Sequence, residues 1–368
     1  MKCSISNIAN VISESIPNPA ESGFDIFVGL EHYDSGEVKV TRYGSTQNLV
    51  TAVKVFRKGD ILLARRNVYL KRAGLVDFDG VTSGDSIVLR VKDDLSSLSL
   101  QSEDIRMYLP FVLNTEEFWN YAEKYSDGTM SKRLSPKTLL QYEFDIPDDV
   151  TEKNRLLWQA YKTKESYKAM ITATDEMVKS QFIEMFDRCS ESFKKYPISD
   201  LCHSSNDIKC GPFGTQLKQA EYTDQGIPVW GIPQINSGFT LAPDVFVSEE
   251  KARQLEQFSL VSEDIAMSRK GNVGQCALYP DSFEDGIIAS DVVRIRVNKE
   301  MILPHFLVYQ LHNSHQIRKQ ILEVSDGTVM AGINVTKMKG IIVYCPSISS
   351  QQKFKTILGQ ADKSKYLS

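Results

Sequence analysis

The chain has 368 residues, 42% hydrophobic and 24% charged, with a formal net charge of -4. That length suits two to three domains, the balance is that of an ordinary globular protein, and no apolar run nears the roughly 20 residues of a membrane span. A slightly negative chain has no general attraction for nucleic acid, so any such binding must come from local fields.

The opening MKCSISNIANVISESIPNPAES has no charged segment followed by an apolar core, so no signal peptide is expected. The six cysteines (Cys3, Cys189, Cys202, Cys210, Cys276 and Cys345) form no CxxC, which suits free thiols in a reducing cytoplasm.

In chain order, FVGLEHYDSG (27–36) precedes KVFRKGDILLAR, which predicts one or two strands around a Lys-Gly-Asp turn. The stretch from Val53 to Arg72 carries Lys54, Arg57, Lys58, Arg65, Arg66, Lys71 and Arg72 against one acid, Asp60, with Phe56 and Tyr69 interleaved. DSIVLRV (85–91) alternates apolar with polar, as a half-buried strand does. LPFVLNTEEFWNYAEKYS predicts an amphipathic helix with Pro110 near its start, running into SDGTM (126–130), where Gly128 can supply the left-handed turn that ends it. Ser131, Lys132 and Arg133 follow as SKR.

Residues 147–186 contain no internal Gly or Pro, and Asp148, Asp149 and Thr151 stand where a helix start favours acids and caps. Leu157, Ala160, Lys164, Tyr167, Ile171, Thr174 and Val178 step by three and four, a heptad seam that predicts a long helix with a partner along its length. Beyond it, KCGPFGTQL (209–217) reads as a turn with Gly211 and Gly214 flanking an apolar anchor. VWGIPQINSG (229–238) carries Gln234 and Asn236, SRKGNVG (268–274) carries Arg269 and Lys270, and SDVVRIR (290–296) predicts another half-buried strand. LPHFLVYQLHNSHQIRKQILEVS predicts a helix ended by a second pentapeptide, SDGTV (325–329), with Gly327 at the turn. The last helix begins in CPSISSQQK and is shorter than the central one.

These segments pair off. SDGTM lies 199 positions before SDGTV, with Leu134 opposite Ile333, Leu139 opposite Met338, Phe144 opposite Val343 and Pro147 opposite Pro346. Phe27–Gly36 lies opposite 229–238 at offset 202, Lys58–Arg65 opposite 262–269 at 204, Gly84–Arg90 opposite 290–296 at 206, and Leu109-Pro110 opposite Leu303-Pro304 at 194. The order never breaks, so the chain is an internal repeat of about 200 residues, far too long for a solenoid unit. The predicted boundaries are one domain over 1–147, a spacer helix over 148–188, a second domain over 189–346 and a distal helix over 347–368.

No GxxxxGK[ST] loop, GxGxxG or HExxH spacing occurs, and Asn18-Pro19-Ala20 lacks the residues that would stack on a flipped base. Cys202-His203 with Cys210 is too scattered to predict a metal site. What repeats instead is cationic. Lys58, Arg65, Arg66, Lys71, Arg72, Lys132 and Arg133 in the first copy, and Arg269 and Lys270 in the second, suit phosphate contact. Gln234 and Asn236 are candidates to read base edges.

The succession KCGPFGTQL, VWGIPQINSG, EDIAMSRKGNVGQ, IIASDVVRIRV, LPHFLVYQL, SDGTVMAGIN and CPSISSQQK resembles the target-recognition domain of type I restriction–modification specificity subunits. The first copy looks like another branch of the same domain, so the resemblance spans essentially the whole chain. It implies an α+β fold, two tandem target-recognition domains separated by long antiparallel, coiled-coil-like helices. Each domain would read one half of a bipartite double-stranded DNA target. The helices would dock two methyltransferase subunits, which hold the S-adenosylmethionine, and restriction translocase–nuclease subunits would join them. This chain would then be non-catalytic, without a cofactor or metal of its own, and away from membranes. A protein-docking scaffold built on the long helix, without DNA contact, is the alternative.

Overall fold

A computed structural model describes residues 1–19, 23–128, 131–271, 273–326 and 332–366. The chain divides into two compact units, Met1–Glu165 and Ser166–Ser368.

In the first unit a four-stranded antiparallel sheet has the order Ala9–Ile12, Ser86–Val91, Ile61–Ala64, Ala73–Leu75. Ile61–Ala64 and Ser86–Val91 are covered on both faces. Ile61, Leu63, Ile87 and Leu89 enter one core, while Leu62, Ala64 and Val88 enter another. The half-buried reading of 85–91 is thereby corrected: successive side chains of a strand point to opposite faces, and both faces here meet apolar partners. The second core lies beneath a five-stranded sheet ordered Ser15–Ile16, Val53–Phe56, Gly80–Thr82, Ile26–Val28, Gly44–Ser45, in which only Ile26–Val28 and Gly80–Thr82 run parallel.

The second unit has the same plan. Ile208–Cys210, Val292–Ile295, Ile265–Ser268 and Cys276–Leu278 form the four-stranded antiparallel sheet in the same order. Ser259–Leu260, Gly286–Ile288, Ile227–Trp230 and Phe246–Val247 form the other sheet, again with one parallel pair, Ile227–Trp230 with Gly286–Ile288.

Each unit also closes its ends on a short antiparallel pair, Lys2–Ser4 with Glu143–Asp145 and Lys194–Pro197 with Ile342–Cys345.

The predicted late helices are each two. Ser102–Val112 and Glu116–Lys124 replace the first, and Pro304–Asn313 and His315–Val324 the second. Pro304 opens its helix as expected. Pro110 instead sits in the last turn of Ser102–Val112, and it is Thr115 that caps the next helix, accepting from Phe118 N.

The long helix runs from Val150 to Phe182, 33 residues and about 50 Å at 1.5 Å per residue, and ends in a π turn over Ile183–Asp187. Thr151 does not cap it, since its hydroxyl donates to Asp104 Oδ2 at 2.7 Å. The first turns are fastened to Ser102–Val112, where Asn154 Nδ2 donates to Asp104 O at 2.8 Å and Trp158 Nε1 to Met107 O at 3.0 Å. Of the predicted seam only Val178 is fully buried; Ala160 and Tyr167 are exposed, and Lys164 pairs with Glu37 at 3.0 Å. The helix is therefore packed at its two ends, not along an unbroken heptad stripe.

In the second unit the helix Ile348–Tyr366 lies against its last turns. The Phe354 ring centre lies 5.4 Å from that of Phe182, tilted, and 5.7 Å from that of Phe186, edge-on, while Ala361 and Asp362 share a cleft with Asp175 and Val178, so the two segments run antiparallel. Asp187 Oδ1 accepts from both Ser314 Oγ and Tyr344 OH at 3.0 Å, tying the helix end to the unit.

Candidate nucleic-acid interface

In each unit the strand that begins after the acidic turn ends in a basic pair, and the loop after the second late helix comes back to meet it. In the first unit Arg65 N donates to Asp85 O (2.9 Å), and Arg65 O accepts from Leu134 N (2.8 Å). In the second, Arg269 N donates to Asp291 O (3.1 Å), and Arg269 O accepts from Ile333 N (2.9 Å). Arg66 bridges to Arg133, and Lys270 bridges to Gly332. Arg133-Leu134 and Gly332-Ile333, which follow the two pentapeptides, are thus stitched to the basic loops by backbone in the same register.

Gly128 has φ 102°, a value that favours glycine, yet it does not end the helix. Glu116–Lys124 stops at Tyr125, and Gly128 lies inside a narrow loop closed by Asp127 N donating to Arg133 O (3.0 Å) and Arg133 N to Asp127 O (2.8 Å). Gly327 lies outside the described residues. Gly214 takes φ 54° in open space. Gly211 is required for another reason: a Cβ there would stand 2.1 Å from Ala289 O.

The guanidinium of Arg269 donates through one Nη to Cys210 Sγ at 3.0 Å and lies over the Phe213 ring, 5.2 Å from its centre. These residues, with Lys270, Gly332, Ile333, Asn334 and Val335, line a cleft of about 470 Å³. The GPFG turn, the basic loop and the returning loop therefore meet at one place. The Nε atoms of both Arg65 and Arg269 are buried without a hydrogen-bond partner. A guanidinium fork beside a cleft, as at Arg269, suits an anionic acceptor with paired oxygens such as a phosphate.

The remaining predicted contacts divide. Arg66 donates to Ser131 Oγ (2.9 Å) and, like Arg133, stands near Asp85, at 3.7 and 3.3 Å. Lys58 and Lys132 are exposed, the latter reaching Glu123 O at 3.2 Å. Lys71 is spent on Glu116 at 2.6 Å. Arg72 holds Leu30 O (2.9 Å) and Arg66 O (3.2 Å), and burial lowers its pKa, so it serves the framework. Gln234 is 2% exposed: its Oε1 accepts from Gly231 N (3.1 Å) and its Nε2 donates to Ala242 O (3.2 Å). A buried amide satisfied within its own turn presents nothing to a base edge, which corrects that assignment; Asn236 is exposed.

Sequence reasoning missed Phe213, Asn334, Asp85 and Asp291. The two aspartates carried a signal, since they fall opposite one another at offset 206 in the matched GDSIVLR and SDVVRIR.

Residues 190–367 match the family model described as the type I restriction modification DNA specificity domain. Among solved structures, the chain is similar to the type I restriction–modification system S subunit from M. genitalium, with 14% identity, a TM-score of 0.59, and coverage of 100% of this chain and 90% of that one. It is also similar to a chain from a study of complex assembly and conformational transition of the type I R-M system, with 16% identity, a TM-score of 0.51, and coverage of 100% and 92%. No curated protein sequence matches the chain. At these identities the structural likeness speaks for the fold alone. The family match lies in residues 190–367, a little under half of the chain, and marks that half as similar to the type I restriction modification DNA specificity domain.

Proposed function

We propose that the two units are tandem target-recognition domains, each reading one half of a bipartite DNA site. Arg65 and Arg66 hold phosphates in the first unit, and Arg269 and Lys270 in the second. One observation carries the reading: the same basic loop, stitched to the same returning loop, occurs at the same point of the same strand order in both units. Sequence specificity then belongs to neighbouring loops that differ between the units, such as the GPFG turn with Phe213, because phosphate contacts position a protein without carrying sequence.

Under this reading the chain supplies no chemistry. Two methyltransferase subunits dock on the long and terminal helices and bring S-adenosylmethionine, and translocase–nuclease subunits complete the restriction enzyme. Leu156, Tyr167, Met170 and Met177 stand exposed along the long helix, with side chains suited to a partner's apolar surface. No helix among the described residues is long and apolar enough to cross a membrane, and we place the complex in the cytoplasm with its DNA.

The test is co-expression with a type I methyltransferase subunit from the same genome, followed by mapping of methylated sites. The proposal expects one bipartite motif. Replacing residues 190–345 with the corresponding domain of another family member should change one half of it and leave the other alone. Methylation by the partner that is indifferent to this chain, or a domain exchange that alters both halves, would overturn the proposal.

A further inference from the structure

Two carboxylates that the proposed DNA contacts do not use stand at the same place in both units. We infer that Asp85 and Asp291 are specificity-determining residues. In the free protein each occupies, beside the loop cations, the place a DNA phosphate takes, so a duplex that offers phosphates alone is held weakly. The inference rests on the DNA-reading proposal above.

The placement is repeated while the partners change. Each aspartate offers its backbone carbonyl to the first arginine of the basic pair, Arg65 or Arg269. Each then turns its carboxylate onto the cations that follow. Asp85 faces two arginines from two loops, Arg66 at 3.7 Å and Arg133 at 3.3 Å. Asp291 faces one lysine, Lys270, at 2.8 Å. The cations differ in kind, number and origin, and the carboxylate stays.

Structural cement is a poor explanation for it. The side chains in these pairs are 27–49% exposed, and ion pairs that open to solvent contribute little to stability. The loops are in any case already joined by the backbone bonds from Leu134 N to Arg65 O and from Ile333 N to Arg269 O.

What the carboxylate does change is the field. It cancels one positive charge where phosphate must dock, and a phosphate has to displace it to reach the same cation. Binding to random DNA draws nearly all of its affinity from phosphate electrostatics, so the cancellation is felt there in full. A cognate site adds base contacts that offset it.

The experiment measures binding of the full-length protein, alone and with its methyltransferase, to a random-sequence duplex over a range of salt. Asp85→Asn and Asp291→Asn keep the shape and remove the charge. Each is expected to bind random DNA about three- to tenfold more tightly, with a salt slope steeper by about 0.9 for each cation released. Asp291→Glu, which restores the charge, should return toward wild type. Asp→Ser at either position serves if an Asn variant fails to fold, as judged by its melting curve. Asn variants that bind no tighter than wild type, while Arg269→Ala still weakens binding, would overturn the inference and leave the DNA reading standing. Wild type and variants that all fail to bind any duplex, with the methyltransferase present, would overturn both.

Discussion

Asp60 and Arg90 form a two-pronged ion pair, Nε to Oδ1 and Nη2 to Oδ2, each at 2.7 Å, with the carboxylate side chain only 2% exposed. Asp60 also accepts from Arg57 N, three residues earlier, at 2.8 Å. Asp264 and Arg296 repeat the arrangement at 2.7 and 2.6 Å, with Val261 N donating to Asp264 at 2.9 Å. The pair locks the acidic turn to the central strand, and that strand also carries Asp85 or Asp291 at its start. It raises the pKa of both arginines through the hydrogen bond to the carboxylate.

Arg90→Ala and Arg296→Ala each leave a buried carboxylate without its cation. The arginines are about a third exposed, so each variant should lose about 2 kcal/mol, less than a fully buried pair would. Thermal or urea unfolding checks this. A loss near zero would mean water replaces the guanidinium freely.

Changing Arg65 and Arg66 together to Ala, or Arg269 and Lys270 together, should weaken DNA binding and lower the salt slope by roughly 0.9 per lost phosphate contact. Titrations at several salt concentrations read both quantities. Wild-type affinity and slope in both double variants would place the duplex elsewhere on the units.

Gly211→Ala should be far more damaging than its size suggests. The new methyl would meet backbone, Ala289 O at 2.1 Å, which no side-chain rotamer relieves. A loss of about 1–3 kcal/mol is expected from overpacking. Displacement of the Phe213 turn should reduce DNA affinity as well. Gly214→Ala, in open space but at φ 54°, should cost about 1 kcal/mol through the backbone alone.

Two half-buried histidines make the second unit acid-sensitive. Burial lowers the pKa of both His305 and His312 from the ordinary 6.5. His312 Nε2 accepts from Cys276 N at 3.2 Å, which requires the neutral ring. The unfolded chain therefore takes up protons first as pH falls below 6.5, and stability declines from there toward the folded pKa. Unfolding midpoints between pH 7.5 and 5.5 should fall for wild type and flatten in His312→Gln. An unchanged pH slope in that variant would rule His312 out as the sensor.

Much of this architecture is legible in the sequence, and what is not has physical causes. The matched segments at offsets 199 to 206 correspond in the structure, down to Leu134 and Ile333 making the same backbone bond. The outlying offset, 194, was the false one. Leu109-Pro110 and Leu303-Pro304 look alike, but one Pro sits in the last turn of a helix and the other opens one. Periodicity found the long helix but overstated its partner. Three-and-four spacing shows which residues share a face and says nothing of whether that face is covered, so Ala160 and Tyr167 lie exposed. Composition located the basic loops, yet it could not show that Arg72 is spent on the carbonyls of Leu30 and Arg66. Nor could it show Gln234 turned inward. The first depends on Leu30, 42 residues from Arg72, and the second on how the turn around Gln234 folds.

The short pairs at the foot of each unit bear on how such a protein can change. Chain enters the first unit at Lys2–Ser4 and leaves beside it at Glu143–Asp145; it enters the second at Lys194–Pro197 and leaves at Ile342–Cys345. Entry and exit are neighbours in space, so a whole unit is a cassette joined through two adjacent crossings. Under the proposed function, recombination at those two points would replace the proposed DNA-facing loops of one unit without moving a residue of the long helix. A new specificity would then arise in one exchange, with the proposed partner-binding surface inherited intact.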